Sequence, residues 1–175
     1  MTAMFPTEMS TAFTAQLMYI SSSGELEPVM MIGQTEGNYW TGVSLADTGW
    51  LCLPEQSKRH TAVPLSLRFD FIEQTDDRTH FRISCATDFK GYRGTHLNTS
   101  SNGFLGLYQA FAPEAFWKTE EVAVFAGFGD LRPAFHLRDH MGMLVRKKFE
   151  DGIRYLVAGG ETKPLVFTLD DYRQV

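Results

Sequence analysis

Two cysteines, Cys52 and Cys85, are too few to staple a chain of 175 residues into a disulfide framework, so the fold has to rest on a hydrophobic core. Both stand in apolar, strand-like stretches, Leu51-Cys52-Leu53 and Ile83-Ser84-Cys85. They read as buried reduced thiols, with a single disulfide as the other option. No window approaches the roughly 20 apolar residues that a membrane-spanning helix needs, so no membrane span is expected. The N-terminal stretch has neither a basic region nor an apolar run of signal-peptide length. A cytoplasmic location is therefore expected, with an unconventional export route left open. Basic runs of five or more residues are missing as well, and the formal net charge is −5. That balance disfavours nucleic acid or an anionic membrane surface as a partner. The densest basic cluster, Arg146-Lys147-Lys148, reads as a solvated strand face.

Signatures of catalysis are absent too. The chain has no HExxH, GxSxG, phosphate-binding loop or CxxC pair, so no catalytic residue, cofactor or metal is assigned and an enzyme is not expected. Gly127-Phe128-Gly129 lacks a third glycine and a helix to open, and reads as a turn. His136 and His140 would share a helix face and suit a metal, but a strand followed by a turn puts them on separate segments. The acidic pairs Asp76-Asp77, Glu120-Glu121 and Asp170-Asp171 read as solvated loops or chain end.

What the chain has is aromatic residues and turn formers: fourteen Phe, six Tyr and three Trp beside fifteen Gly and seven Pro. That mixture predicts short strands joined by tight turns. Alternation with a period of two supports it. Leu65-Ser66-Leu67-Arg68-Phe69-Asp70-Phe71 is apolar at every odd position, and Phe81-Arg82-Ile83, Phe135-His136-Leu137 and Val166-Phe167-Thr168-Leu169 behave alike. Turn signals separate these runs, among them Ser23-Gly24, Asp76-Asp77, Ser101-Asn102-Gly103, Asp151-Gly152 and Gly159-Gly160. The best helix candidate, 113–121, holds Phe116-Trp117 and reads equally well as strand. Ala15 to Ile20 and Pro28 to Ile32 are further strand candidates.

Three stretches share one pattern. Val43-Ser44-Leu45 leads to Asp47-Thr48-Gly49-Trp50 and then to Pro64-Leu65-Ser66-Leu67. Phe81-Arg82-Ile83 leads to Asp88-Phe89-Lys90-Gly91-Tyr92 and then to Pro113-Glu114-Ala115-Phe116. Phe135-His136-Leu137 leads to Asp139-His140-Met141-Gly142-Met143 and then to Pro164-Leu165-Val166-Phe167. The Asp suits a turn, the Gly a positive φ, and the Pro the head of a strand. The large residues Trp50, Tyr92 and Met143, and later Leu67, Phe116 and Phe167, are expected to point inward, and Trp117 reads as a core residue too. Closer spacing between Gly49 and Pro64 predicts a shortened middle hairpin in the first copy.

Over about residues 40 to 170 this pattern resembles the β-trefoil superfamily, and the third stretch is similar to units of fascin-like and ricin-like trefoils. The resemblance implies an all-β domain over 13–175 behind a loose arm at 1–12. Its three pseudo-repeats of about 50 residues around a threefold axis would span about 13–73, 79–127 and 133–172. It also implies recognition, in the manner of lectins. Where ricin-type units carry Gln-x-Trp, this chain has Glu114-Ala115-Phe116, Leu65-Ser66-Leu67 and Leu165-Val166-Phe167, so the ricin-type sugar site is not carried over.

The second stretch is the most polar and aromatic. His96, Asn98, Asn102, Tyr108 and Gln109 combine hydrogen-bonding forks with a ring face, the mixture a sugar requires. Asn98 and Asn102 also suit a turn over 98–103, and Tyr108 the barrel interior. The expectation is a soluble, non-catalytic carbohydrate-binding domain with a glycan as its partner. The alternative is a protein–protein module, either a fascin-like cytoskeletal binder or a toxin or inhibitor domain. Homo-oligomerisation stays open.

Overall fold

The computed structural model describes residues 12–32, 49–110, 112–125 and 132–175. Its strands are β1 (Phe13–Ile20), β2 (Leu26–Pro28), β3 (Met30–Ile32), β4 (Leu51–Cys52), β5 (Ala62–Pro64), β6 (Leu67–Gln74), β7 (Arg78–Cys85), β8 (His96–Thr99), β9 (Leu105–Tyr108), β10 (Trp117–Phe125), β11 (Arg132–Arg138), β12 (Val145–Glu150), β13 (Ile153–Ala158) and β14 (Phe167–Gln174). A short 3-10 helix, Gln56–Thr61, precedes β5. No helix among the described residues is long and apolar enough to cross a membrane.

Six of these strands close an antiparallel barrel. β1 pairs with β6 and β14, β6 with β7, β7 with β10, β10 with β11, and β11 with β14, which completes the ring. Closure leaves the barrel without a free edge along these strands. The interior follows from alternation: Phe13, Ala15 and Leu17, then Leu67 and Phe69, Phe81 and Ile83, Trp117, Phe135 and Leu137, and Phe167 are all buried. Phe13 stacks on Phe69 at 4.8 Å, and Phe81 meets both rings edge-on at 5.8 and 5.7 Å. Such contacts add to the burial of large apolar area that holds the barrel together.

The β-trefoil of three pseudo-repeats expected from the sequence is corrected to this closed six-stranded barrel with additional strands. Each expected unit supplies two neighbouring barrel strands, but the connections between them are unlike. The segment 21–66 carries β2 to β5 and the 3-10 helix, so the first connection is elaborated where a shortened hairpin was expected. β8 and β9, in 86–116, prolong the barrel sheet past β7, whereas β12 and β13, in 139–166, join β4, β3 and β5 in a separate five-stranded sheet. Spacing between glycines and prolines records where turns fall. It does not record which sheet a hairpin joins, and that difference is what breaks the equivalence.

Several local expectations change with it. Trp117 points into the core at the head of β10 as expected, but Phe116 beside it does not, because Ala115 and Trp117 take the inward register. Met143 is 48% exposed and fills no core. Pro64 closes β5, and Pro113 lies in the turn before β10. The segment 113–121 is turn and strand, not helix, and Glu120-Glu121 lie within β10, not in a loop. The turns at Gly91 and Gly142 do form, and these glycines and Gly49 all have positive φ. Cys52 and Cys85 are free and buried. The strand expected at Val43–Leu45, the Asp47 turn, the turn at Gly127–Gly129 and nearly all of the arm at 1–12 lie outside the described residues.

Candidate functional site

The five residues singled out in the second stretch do not converge. β8 and β9 form a hairpin in which His96 faces Tyr108 and Asn98 faces Gly106. Paired residues share a face of the sheet, so His96, Asn98 and Tyr108 lie together, opposite the buried Leu97 and Leu107. Asn102 sits in the turn at the hairpin tip and Gln109 beyond its end, both exposed. Asn98 is already engaged, its Oδ1 accepting from the Thr99 amide at 2.8 Å. Tyr108 lies across Gly106: a Cβ there would stand 3.0 Å from the Tyr108 hydroxyl and 3.0 Å from Trp50 Cδ1. That hydroxyl is buried with no hydrogen-bond partner among the described residues. None of the five residues borders a cavity described below.

A cleft of about 790 Å³ opens instead between the end of β1, the β12–β13 hairpin and the segment before β14. Its wall includes Tyr19, Ser21, Ser22, Lys147, Phe149, Arg154, Thr162 and Lys163. Tyr19 is fixed by pairing on both sides of β1, with Glu27 of β2 and Phe167 of β14. Lys147 and Phe149 alternate with their neighbours along β12 and so share a face, and Phe149 is paired with Arg154 across the hairpin. Phe149 is 70% exposed, more than Phe71 at 36% or Tyr172 at 46%.

Polar contacts hold this wall in shape. The Lys147 ammonium donates to the Tyr19 hydroxyl at 3.3 Å and stands 4.9 Å from the centre of its ring, within cation–π range. Arg154 Nη2 donates to Glu27 Oε2 at 2.7 Å and its Nε to Leu53 O at 2.8 Å, tying β13 to β2 and to the strand end after β4. Thr162 Oγ1 donates to Lys147 O at 3.1 Å, Arg146 donates to Thr162 O, and His136 Nδ1 donates to Leu165 O at 3.0 Å. Ser21 is consumed by its own turn, accepting from the Glu25 amide at 3.0 Å. Ser22 is exposed beside it.

A second, smaller cavity of about 50 Å³ is lined by Ile32, Cys52, Leu53, Lys58, Ala62 and Arg154, among others. Burial pushes the Cys52 thiol up to about 12, against a smaller lowering by the nearby Arg154 charge. A thiol needs its anion to act as nucleophile or ligand, so Cys52 is inert at neutral pH. His136 lies on β11 and His140 in the following turn, and among the described residues no three His, Cys, Asp or Glu side chains gather into a metal site.

Sequence reasoning missed the cleft because its walls come from residues more than a hundred positions apart. One signal was available: Arg146-Lys147-Lys148 runs into Phe149, a basic cluster beside an aromatic residue in an otherwise acidic chain. By sequence it reads as a solvated face. For Lys148 that holds, since it pairs with Glu150 at 3.0 Å and lies over Phe104 at 5.0 Å. For Lys147, one residue away and on the opposite face, it does not. No protein-family model matches the chain, and a search of the curated proteins finds no match.

Proposed function

We propose that the chain is a non-catalytic recognition domain that takes a saccharide in the cleft formed by β1, the β12–β13 hairpin and residues 162–166. The observation that carries this reading is an exposed aromatic ring, Phe149, set in a concave wall beside hydroxyl and ammonium donors. A sugar presents an apolar CH face that suits a ring and a rim of hydroxyls that suits such polar groups. The cleft volume lies in the range of roughly 300–1,000 Å³ typical of small-ligand sites. The hairpin face holding His96, Asn98 and Tyr108 is the weaker location, because Asn98 is engaged by the backbone and Gly106 is covered by neighbouring rings.

A glycan array on the purified chain, followed by calorimetry with the best ligand, tests this. Phe149→Ala is expected to weaken binding by roughly tenfold or more, as loss of a ring contact does, while Asn98→Ala leaves it unchanged. Loss of binding on the hairpin substitution, with Phe149→Ala neutral, would move the site. No binding to any glycan at millimolar concentrations would remove the reading. The second reading is a protein partner, and it is favoured by Met141, 78% exposed, beside Met143 in the turn after β11. Exposed methionines suit adaptable protein contacts, and binding lost on Met141→Ser but retained on Phe149→Ala would select that reading.

A further inference from the structure

We infer that the ligand of this cleft is anionic, an acidic saccharide whose carboxylate or sulfate is received by Lys147 and Lys163. The sugar part of this statement rests on the reading above; the anionic part rests on charge alone.

The chain as a whole is acidic, at −5, yet the described lining of the cleft carries Lys147, Arg154 and Lys163 and no carboxylate. Several cations elsewhere on the surface are matched by carboxylates at close range, while Lys118 and Arg146 donate to backbone carbonyls instead. Arg68 pairs with Asp70, Arg138 with Glu120, Lys148 with Glu150, and Arg173 with Asp171. Within the cleft Arg154 is matched as well, by Glu27, and serves the wall. Among the described residues, no carboxylate pairs with Lys147 or Lys163. The Lys147 ammonium is held by a phenol, through its hydroxyl and its ring face, and these position a charge without cancelling it. Lys163, exposed at the rim, makes no ion pair among the described residues.

Two unneutralised ammonium groups in a concave site would repel each other and any cationic ligand, and they attract an anion of matching size. A cleft concentrates that field in a way a flat surface does not. Phe149 and the hydroxyls of Ser22 and Thr162 supply contacts that a bare inorganic anion would leave unused, and that a sugar ring would use. A long polyanion is disfavoured, because the chain as a whole carries a net charge of −5.

The test is a titration of the purified chain, by calorimetry and amide NMR, with a uronate-containing disaccharide, its neutral carboxyl-reduced twin, and inorganic sulfate. The uronate sugar is expected to bind roughly tenfold tighter than its twin, with the advantage shrinking between about 50 mM and about 500 mM salt. The Lys147→Gln/Lys163→Gln double variant should lose the advantage, whereas Lys148→Gln, on the opposite strand face, should keep it. Thermal melts of each variant check that the fold is intact. Equal binding of the two sugars at the cleft overturns the anionic inference and leaves the saccharide reading standing. Shifts at Ser22, Thr162 and Lys163 with sulfate but with neither sugar support the anion site and remove the saccharide reading. No perturbation by any of the three probes removes both, and tighter capture of an acidic peptide or an oligonucleotide than of the uronate sugar overturns the inference.

Discussion

Trp117 donates its indole N–H to the carbonyl oxygen of Leu97 at 2.9 Å, with Trp117 1% exposed and Leu97 fully buried. The bond joins the head of barrel strand β10 to the β8–β9 hairpin that extends the sheet past β7. Both ends are out of water, so neither group has a substitute partner if the other is removed. Trp117→Phe keeps most of the ring and deletes the donor, leaving the Leu97 oxygen unsatisfied at a cost of about 1–3 kcal/mol. Trp117→Ala adds a cavity and should cost about 3–5 kcal/mol. Urea denaturation gives both values, and an unchanged midpoint for Trp117→Phe would mean that the carbonyl finds water.

Gly49 and Gly142 share a backbone conformation but not an environment, which makes them a controlled pair. At both, positive φ strains any side chain. A Cβ on Gly49 would also stand 2.9 Å from the Leu107 backbone oxygen and 2.9 Å from Tyr92 Cε1, whereas nothing lies within 4 Å of one on Gly142. Leu107 N in turn donates to Gly49 O at 2.9 Å, so the approach is part of the packing between the first connection and the hairpin. Gly142→Ala is expected to cost about 1 kcal/mol from conformation alone. Gly49→Ala should exceed it by about 1–3 kcal/mol, as overpacking against backbone does. Equal melting shifts for the two would contradict this packing.

The contrast between those glycines also shows what the sequence could and could not say. Local signals survive: alternation marks β6, β7, β11 and β14, and the positive-φ turns at Gly91 and Gly142 follow from an Asp three residues before each Gly. Local signals carry little information about partners. Leu105-Gly106-Leu107 and Leu156-Val157-Ala158 look alike as short apolar runs, yet one extends the barrel sheet and the other joins a different sheet. Register suffers similarly: Phe116 and Trp117 are both expected inward, and strand alternation admits only Trp117. The cleft was least legible of all. Its wall joins Tyr19 to Lys147 across most of the chain, and a charge contact of that kind leaves no periodic trace.

The thiol of Cys52 sets an alkaline limit on stability. Burial, partly opposed by the Arg154 charge, raises it from the ordinary thiol value of 9.0 to about 12. Cys85 is raised in the same direction, first by burial, and so is Tyr155, which lies against the same small cluster. A raised pKa means that the folded chain keeps a proton the unfolded chain gives up. The contribution is therefore fully present below the unfolded value near 9 and is lost as pH climbs toward 12. Urea midpoints should fall steadily above pH ~9. Cys52→Ala should flatten that fall, and thiol reagents at neutral pH should label Cys52 only after denaturant is added. A slope unchanged by Cys52→Ala would assign the alkaline limit to other groups.

Arg154 and Glu27 form the brace behind the candidate site, with Nη2 and Oε2 2.7 Å apart and side chains 24% and 16% exposed. Because Arg154 also donates to Leu53 O, it links β13, β2 and the end of β4 at one point, and Phe149 is paired directly across from it. Partial burial makes the pair worth more than a surface bridge, while residual solvent screening keeps it well below a fully buried one. A double-mutant cycle over Glu27→Gln and Arg154→Gln should give a coupling of about 1 kcal/mol. Arg154→Gln should be the costlier single change, since it also frees the Leu53 carbonyl. If the brace sets the shape of the cleft, Glu27→Gln will weaken ligand binding although Glu27 is not part of the wall, and the hairpin amides 147–156 will exchange faster with deuterium. Faster exchange without weaker binding would place the recognition surface elsewhere.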